Sequence, residues 1–294
     1  MGSSKPPYFW PVMAAGIAGI SFGSILIKLA TAGPSPAAPL AIAFYRLGFT
    51  ALLLLPLFLA QGRAGRVRVG DLLWAGLAGA FLSLHFVLWI YSLGFTTVTS
   101  SVVFVTTNPL FVTILGWLLL REKPSRGLLV AVALVIAGGL VIAGRSLAAS
   151  DPRANIGNLL ALGGAVMASG YLLVGRRLRA HMDIMSYGTV CYGITAAILL
   201  AACLAFHVPL RGFAGINYLW FLLAALGPQV LGHTSFNWGL KHWLASRIAM
   251  LTITEPVGAA VLAWLILRQV PTLYEIGGGL LILSGVYLTI KNGE

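Results

Sequence analysis

Ten stretches of this chain, each close to 20 residues long and almost wholly apolar, leave it few ways to fold. They run at about 9–30, 40–60, 71–92, 98–120, 127–145, 156–175, 185–206, 216–238, 244–267 and 273–290. A helix needs roughly 20 apolar residues to cross the hydrocarbon core of a bilayer. Charged residues make up 9% of the 294, where a soluble domain carries about a quarter. So few charges cannot cover a water-facing surface, and the reading is an all-α integral membrane protein with ten transmembrane helices. The punctuation is Gly, Pro, Arg and Asp, as in "TAGPSPAAP" (31–39) and "SLAASDPRAN" (146–155), and the loops are too short to hold a soluble domain. The opening "MGSSKPP" is polar and runs into a full-length span, so no signal peptide is expected.

The net charge of +12 would suggest nucleic acid in a soluble protein; here its placement points to the membrane surface and to no nucleic-acid partner. With ten spans both termini share a side. That side carries thirteen Lys and Arg, including Lys5, Arg63, Arg66, Arg68 and the Arg176, Arg177, Arg179 cluster, and the other carries four: Arg145, Arg153, Arg211 and Arg268. Positive residues collect on the cytoplasmic face, so both termini are expected there, in a multi-pass protein of a bacterial inner membrane.

The chain also repeats itself. A shift of 147 residues lays "NPLFVTILGWLLLREKP" (108–124) over "EPVGAAVLAWLILRQVP" (255–271), pairing Pro109 with Pro256, Trp117 with Trp264, Arg121 with Arg268 and Pro124 with Pro271. The same shift pairs Gly16 with Gly163, Gly23 with Gly170 and Tyr45 with Tyr192. The expected units are residues 1–147 and 148–294, five spans each. Because five is odd, the second enters the membrane inverted, the architecture of many secondary transporters, whose site lies where the repeats meet.

Three pieces of sequence carry a resemblance: "PLAIAFYRLGFTALLLLP" (39–56), the Asn-Pro and Glu-Pro centres of spans four and nine, and "WLLLREKPSRGLLVAVALVIAGG" (117–139). With them the whole chain resembles the ten-helix EamA-type exporters of the drug/metabolite transporter superfamily, and among these most the bacterial exporters of aromatic and other amino acids. The resemblance implies spans one to four and six to nine around a central cavity, with five and ten peripheral as scaffold or homodimer helices. It implies export of aromatic and other small neutral amino acids by alternating access. Export of other metabolites or drugs, and uncoupled facilitation, are the alternatives.

Several residues bear on a site. Glu255 stands in an apolar run directly before Pro256, where ionisation costs roughly 2.5–3.5 kcal/mol on a lenient scale unless the group faces protein or water. It is either a proton- or ammonium-binding acid on a bent helix or a packing device, and Asn108, its counterpart, could do the second. Pro109 and Pro256 are the candidate hinges. His85 has Trp89 one turn on, the same face, and an indole suits an amino-acid side chain or an ammonium. His233 and Asn237 form a similar i, i+4 set in span eight, but the two histidines are one residue out of repeat register. Phe22, Ser24 and Tyr171 stand near the expected cavity in spans one and six. Arg46 and Lys28, near span ends, read as an anchor and a snorkelling side chain. Thr106 and Thr107 are set aside because such hydroxyls commonly bond their own helix. Gly19 and Gly23 read as close helix packing, as do the glycines at 138–139 and 277–279. Trp10, Trp74, Trp117 and Trp264 suit an interfacial belt. No phosphate loop, zinc motif, cysteine cluster or nucleophile set occurs, so neither a cofactor nor an enzyme activity is expected.

Overall fold

The computed structural model describes residues 6–32, 35–62, 67–121, 123–148, 152–268, 270 and 272–291. Lys5, Arg63, Arg66 and Pro271 lie outside the described residues, as does the Arg145 side chain. The described chain is helical throughout, in ten rods: α1 (Phe9–Ser21 and Gly23–Thr31), α2 (Pro39–Ala60), α3 (Val69–Ser92), α4 (Val98–Val105 and Asn108–Leu120), α5 (Arg126–Ala148), α6 (Pro152–Arg179), α7 (Ile184–Ala205), α8 (Gly215–Gly239), α9 (Ala245–Thr252 and Glu255–Leu267) and α10 (Leu273–Lys291). Eight of them are long and apolar enough to cross a bilayer; in α5 and α10 the apolar portions, Arg126–Val141 and Ile276–Lys291, are shorter. Large apolar side chains such as Leu52, Leu73, Leu119 and Leu280 stand exposed along the rods, as lipid-facing residues do in a protein with no aqueous surface at that depth.

Local sequence accounts for the breaks. Pro109 and Pro256 have no N–H to donate, so the Val105 and Thr252 carbonyls lose their usual helical partners. In each rod two residues just before it, Thr106–Thr107 and Ile253–Thr254, form a turn that interrupts the α-helix, and the proline sits in the first turn of the new helix, where its missing donor costs nothing. Both second segments end on an arginine in left-handed geometry, Arg121 at φ 56° and Arg268 at φ 58°, a common way to terminate a helix. Within α8 the stretch Ala225–His233, which contains Pro228, is wound as a π-helix.

Small residues let rods approach. A Cβ on Gly19 would lie 2.9 Å from the Gly227 carbonyl, and one on Gly232 would lie 2.4 Å from the Ile20 side chain, so α1 and the π segment of α8 pack backbone to backbone. Gly23, the other half of the predicted packing motif, faces Trp89 and Arg46 instead. The rods α5 and α10 pack on each other. A Cβ on Gly138 would meet the Gly278 carbonyl at 2.6 Å, and one on Gly285 would meet the Ala131 carbonyl at 2.7 Å. Residue numbers rise along one rod as they fall along the other, so the two are antiparallel. The remaining eight rods carry most of the core, including the fully buried Phe86, Tyr187, Tyr192 and Phe221, and α5 and α10 add Leu128, Val132, Val135, Ile282 and Val286.

Candidate functional site

Seven of the rods border one cavity with about 670 Å³ of empty space, its mouth included. Its polar wall comes from the interruptions in the helices. Asn108 and Glu255 are the first residues of the segments that follow the breaks in α4 and α9, and both line the cavity, with Thr106 and Thr252 just before the breaks. The Thr252 hydroxyl donates to Ala249 O at 2.7 Å and lies 3.4 Å from Asn108 Oδ1. No hydrogen bond or ion pair of the Glu255 side chain forms among the described residues, which leaves its carboxylate to the cavity.

The aromatic wall comes from α3, α6 and α8. His85 and Trp89 lie nearly parallel, ring centroids 6.1 Å apart at 11°. His85 Nδ1 is 3.0 Å from Gly164 O; a carbonyl only accepts, so Nδ1 carries the proton and Nε2 is the ring's remaining polar atom. His233 lies 6.3 Å from His85 and 6.5 Å from Tyr171, centroid to centroid. Asn237 donates through Nδ2 to the Tyr171 and Tyr192 hydroxyls, the latter at 2.8 Å, which leaves its Oδ1 without a partner. Phe236 completes this wall.

Of the residues singled out in the sequence, His85, Trp89, Asn108, Tyr171, His233, Asn237 and Glu255 meet here. Phe22 and Ser24 do not. Phe22 occupies the interruption in α1 and is 41% exposed, whereas Ser24 is wholly buried away from the cavity. Pro109 and Pro256 stand beside the lining as the second residues of their segments.

Arg46 requires a correction. The end of a span suggested an anchor near the membrane face, but its side chain is 1% exposed and lines the cavity. Its Nε donates to Gln229 Oε1 at 2.9 Å, and the guanidinium lies 4.3 Å from the centre of the Phe86 ring. An ionisable group well inside a spanning segment was the available signal. Lys28 does not snorkel freely either: its Nζ donates to Leu93 O at 2.7 Å. Thr106 and Thr107 bond their own helix, as expected, yet Thr106 also lines the cavity, as does Thr252. Gln229, the partner of Arg46, carried no sequence signal at all.

The profile of the EamA-like transporter family matches residues 9–144 and again residues 155–291. The chain belongs to the EamA-like transporter family. It is a multi-pass membrane protein of that family, and the double match makes it a two-repeat EamA chain. It is 24% identical to the uncharacterized transporter YetK of Bacillus subtilis over 68% of this chain and 62% of that protein. An uncharacterized transporter of Synechocystis is 25% identical over 74% of this chain and 66% of its own length, so the alignments span just under two thirds of either relative. Human solute carrier family 35 member G1 is 20% identical over 83% of this chain and 69% of its own. A crystal structure matches over 98% of both chains with a TM-score of 0.76 at 18% identity, which shows that this EamA chain shares that fold.

Proposed function

We propose that this transporter exports amino acids, aromatic and other small neutral ones, across a bacterial inner membrane by alternating access, with the central cavity as the substrate site. The observation that carries this reading is the cavity's composition. A free carboxylate, carboxamides and a stack of aromatic rings face one space at the two matched helix breaks. An amino acid has an ammonium for Glu255 and a side chain for His85, Trp89 and Phe236. The two repeats lie inverted in the membrane with both termini cytoplasmic. The antiparallel pairing of α5 and α10, which are counterparts under the shift of 147, and the excess of Lys and Arg on one side support that arrangement. Pro109 and Pro256 act as the hinges on which the second segments of α4 and α9 tilt.

The test is flux of radiolabelled amino acids in liposomes containing the purified protein, with and without an imposed pH gradient. We expect gradient-driven, concentrative flux in the wild type and only equilibration in Glu255→Gln. Flux that ignores the gradient and survives the substitution would make the protein a facilitator. No flux of any amino acid would end the substrate assignment.

A further inference from the structure

Arg46 has no task in the reading above, yet it is the most completely buried cation bordering the cavity. Its Nε is satisfied by Gln229, whereas Nη1 has no partner. Gln229 supplies an acceptor but no charge. The acid that borders the same cavity is Glu255, from the other repeat. The two form no ion pair with each other, so opposite charges stand apart across one space.

Charge balance then selects among ligands. An amine would satisfy Glu255 but be repelled by Arg46, and a carboxylic acid would meet the reverse. A neutral solute would leave both charges without a counterpart. A molecule with one anionic and one cationic end leaves neither unmatched and keeps the site neutral overall. Charge-assisted hydrogen bonds are the strong ones, and leaving either charge buried without one is costly.

Trp89 lines the same cavity. Trp89 Nε1 is buried without a partner. A Cβ on Gly23 would lie 3.3 Å from the Trp89 ring and 3.9 Å from Arg46 Nη1, so the glycine keeps open the spot where both side chains converge. We propose that Arg46, with Trp89 Nε1, is the carboxylate-binding subsite of the cavity and Glu255 its ammonium-binding subsite, so that substrates are selected as zwitterions by their shared head group. The proposal rests on the export reading given above and adds what the cavity grips.

The experiment measures competition against labelled neutral amino acids, phenylalanine among them, in liposomes containing wild-type protein. The competitors are unlabelled phenylalanine, phenylethylamine, which lacks the carboxylate, and 3-phenylpropionate, which lacks the ammonium. We expect both truncated compounds to compete at least about tenfold more weakly than phenylalanine, the loss of one charge-assisted hydrogen bond. In Arg46→Gln the preference for phenylalanine over phenylethylamine should collapse, while Arg46→Lys should keep part of it. A purely structural Arg46 would lower all transport and leave that ratio unchanged, which would overturn the proposal. So would a wild type that accepts phenylethylamine as readily as phenylalanine, and the export reading would survive that result. A wild type that moves no amino acid removes both. The wild-type comparison stands whether or not the Arg46 variants fold.

Discussion

The rods α4 and α9 break at equivalent residues, restart on equivalent residues and end on an arginine in the same left-handed geometry. Their neighbours α3 and α8, equally counterparts under the shift, differ: α3 is one unbroken helix and α8 contains a π-helical stretch of nine residues. The first pair shows a repeat fixed by backbone chemistry, since each break is followed by a proline that removes the same backbone donor. The second pair shows the repeat giving way where the cavity is furnished. Polar groups follow the same division. Tyr45 and Tyr192 are counterparts, yet the Tyr45 hydroxyl donates to Leu210 O whereas the Tyr192 hydroxyl accepts from Asn237. Glu255 corresponds to Asn108 and Arg46 to Gly193, so each charge of the cavity exists in one repeat alone. The scaffold is symmetric and the chemistry is not.

The asymmetric pair offers the strongest way to test that contrast. Deleting Leu231 from the π segment should let α8 wind as an ordinary helix and turn Thr234–Gly239 by about 100°. Asn237 would then leave the Tyr171 and Tyr192 hydroxyls. We expect transport at background, with helical content by circular dichroism unchanged; retained transport would show that the π segment does not set the cavity. Glu255→Asn makes the two breaks alike and should reduce flux by about tenfold or more, the scale of one charge-assisted hydrogen bond. If flux held at the wild-type level, the asymmetry between Asn108 and Glu255 would have no functional meaning.

The symmetric seam makes a matched prediction of smaller size. Alanine at Gly138 or at Gly285 forces the same contact with backbone from opposite sides, so each should destabilise the protein by a similar amount, about 1–3 kcal/mol for an overpacked site. Alanine at Gly277, which has open space around it, is the control, and midpoints of thermal unfolding in detergent compare the three. Unequal losses at the two seam glycines would break the symmetry. The smallest effect belongs to the bond from His181 to Asp71, 2.8 Å across the two repeats with the His181 side chain 44% exposed. Asp71 is 11% exposed, and a single hydrogen bond contributes about 0.5–1.5 kcal/mol net; Asp71→Asn keeps an acceptor oxygen, so it should barely move the same midpoint, and a larger drop would reveal a latch between the halves.

Much of this was legible before any coordinates. The apolar runs, the Asn-Pro and Glu-Pro centres and the shift of 147 all act through local chemistry: hydrophobic length, a missing backbone donor, a repeated register. They sufficed for ten rods, for two broken ones, and for seven residues that share a cavity. His85 and His233 were separable in sequence by one residue of register. A π turn takes more residues than an α turn, so the phase of α8 slips and His233 arrives beside His85 all the same. Pro228 marks "LGPQVLGH" (226–233) as a disturbed helix, but nothing there specifies π winding.

The sequence by itself determined the solvent of this protein, the number and approximate ends of its rods, and the sites at which two of them must break. Each follows from groups that are neighbours along the chain. Tertiary structure alone decided that Arg46 faces the cavity rather than the membrane surface, that Phe22 and Ser24 turn away from it, and that a charge from each repeat borders the same space. The direction of a side chain on a helix buried among others depends on which neighbour approaches, and small residues far away in sequence, such as Gly19 and Gly232, set how close that neighbour can come.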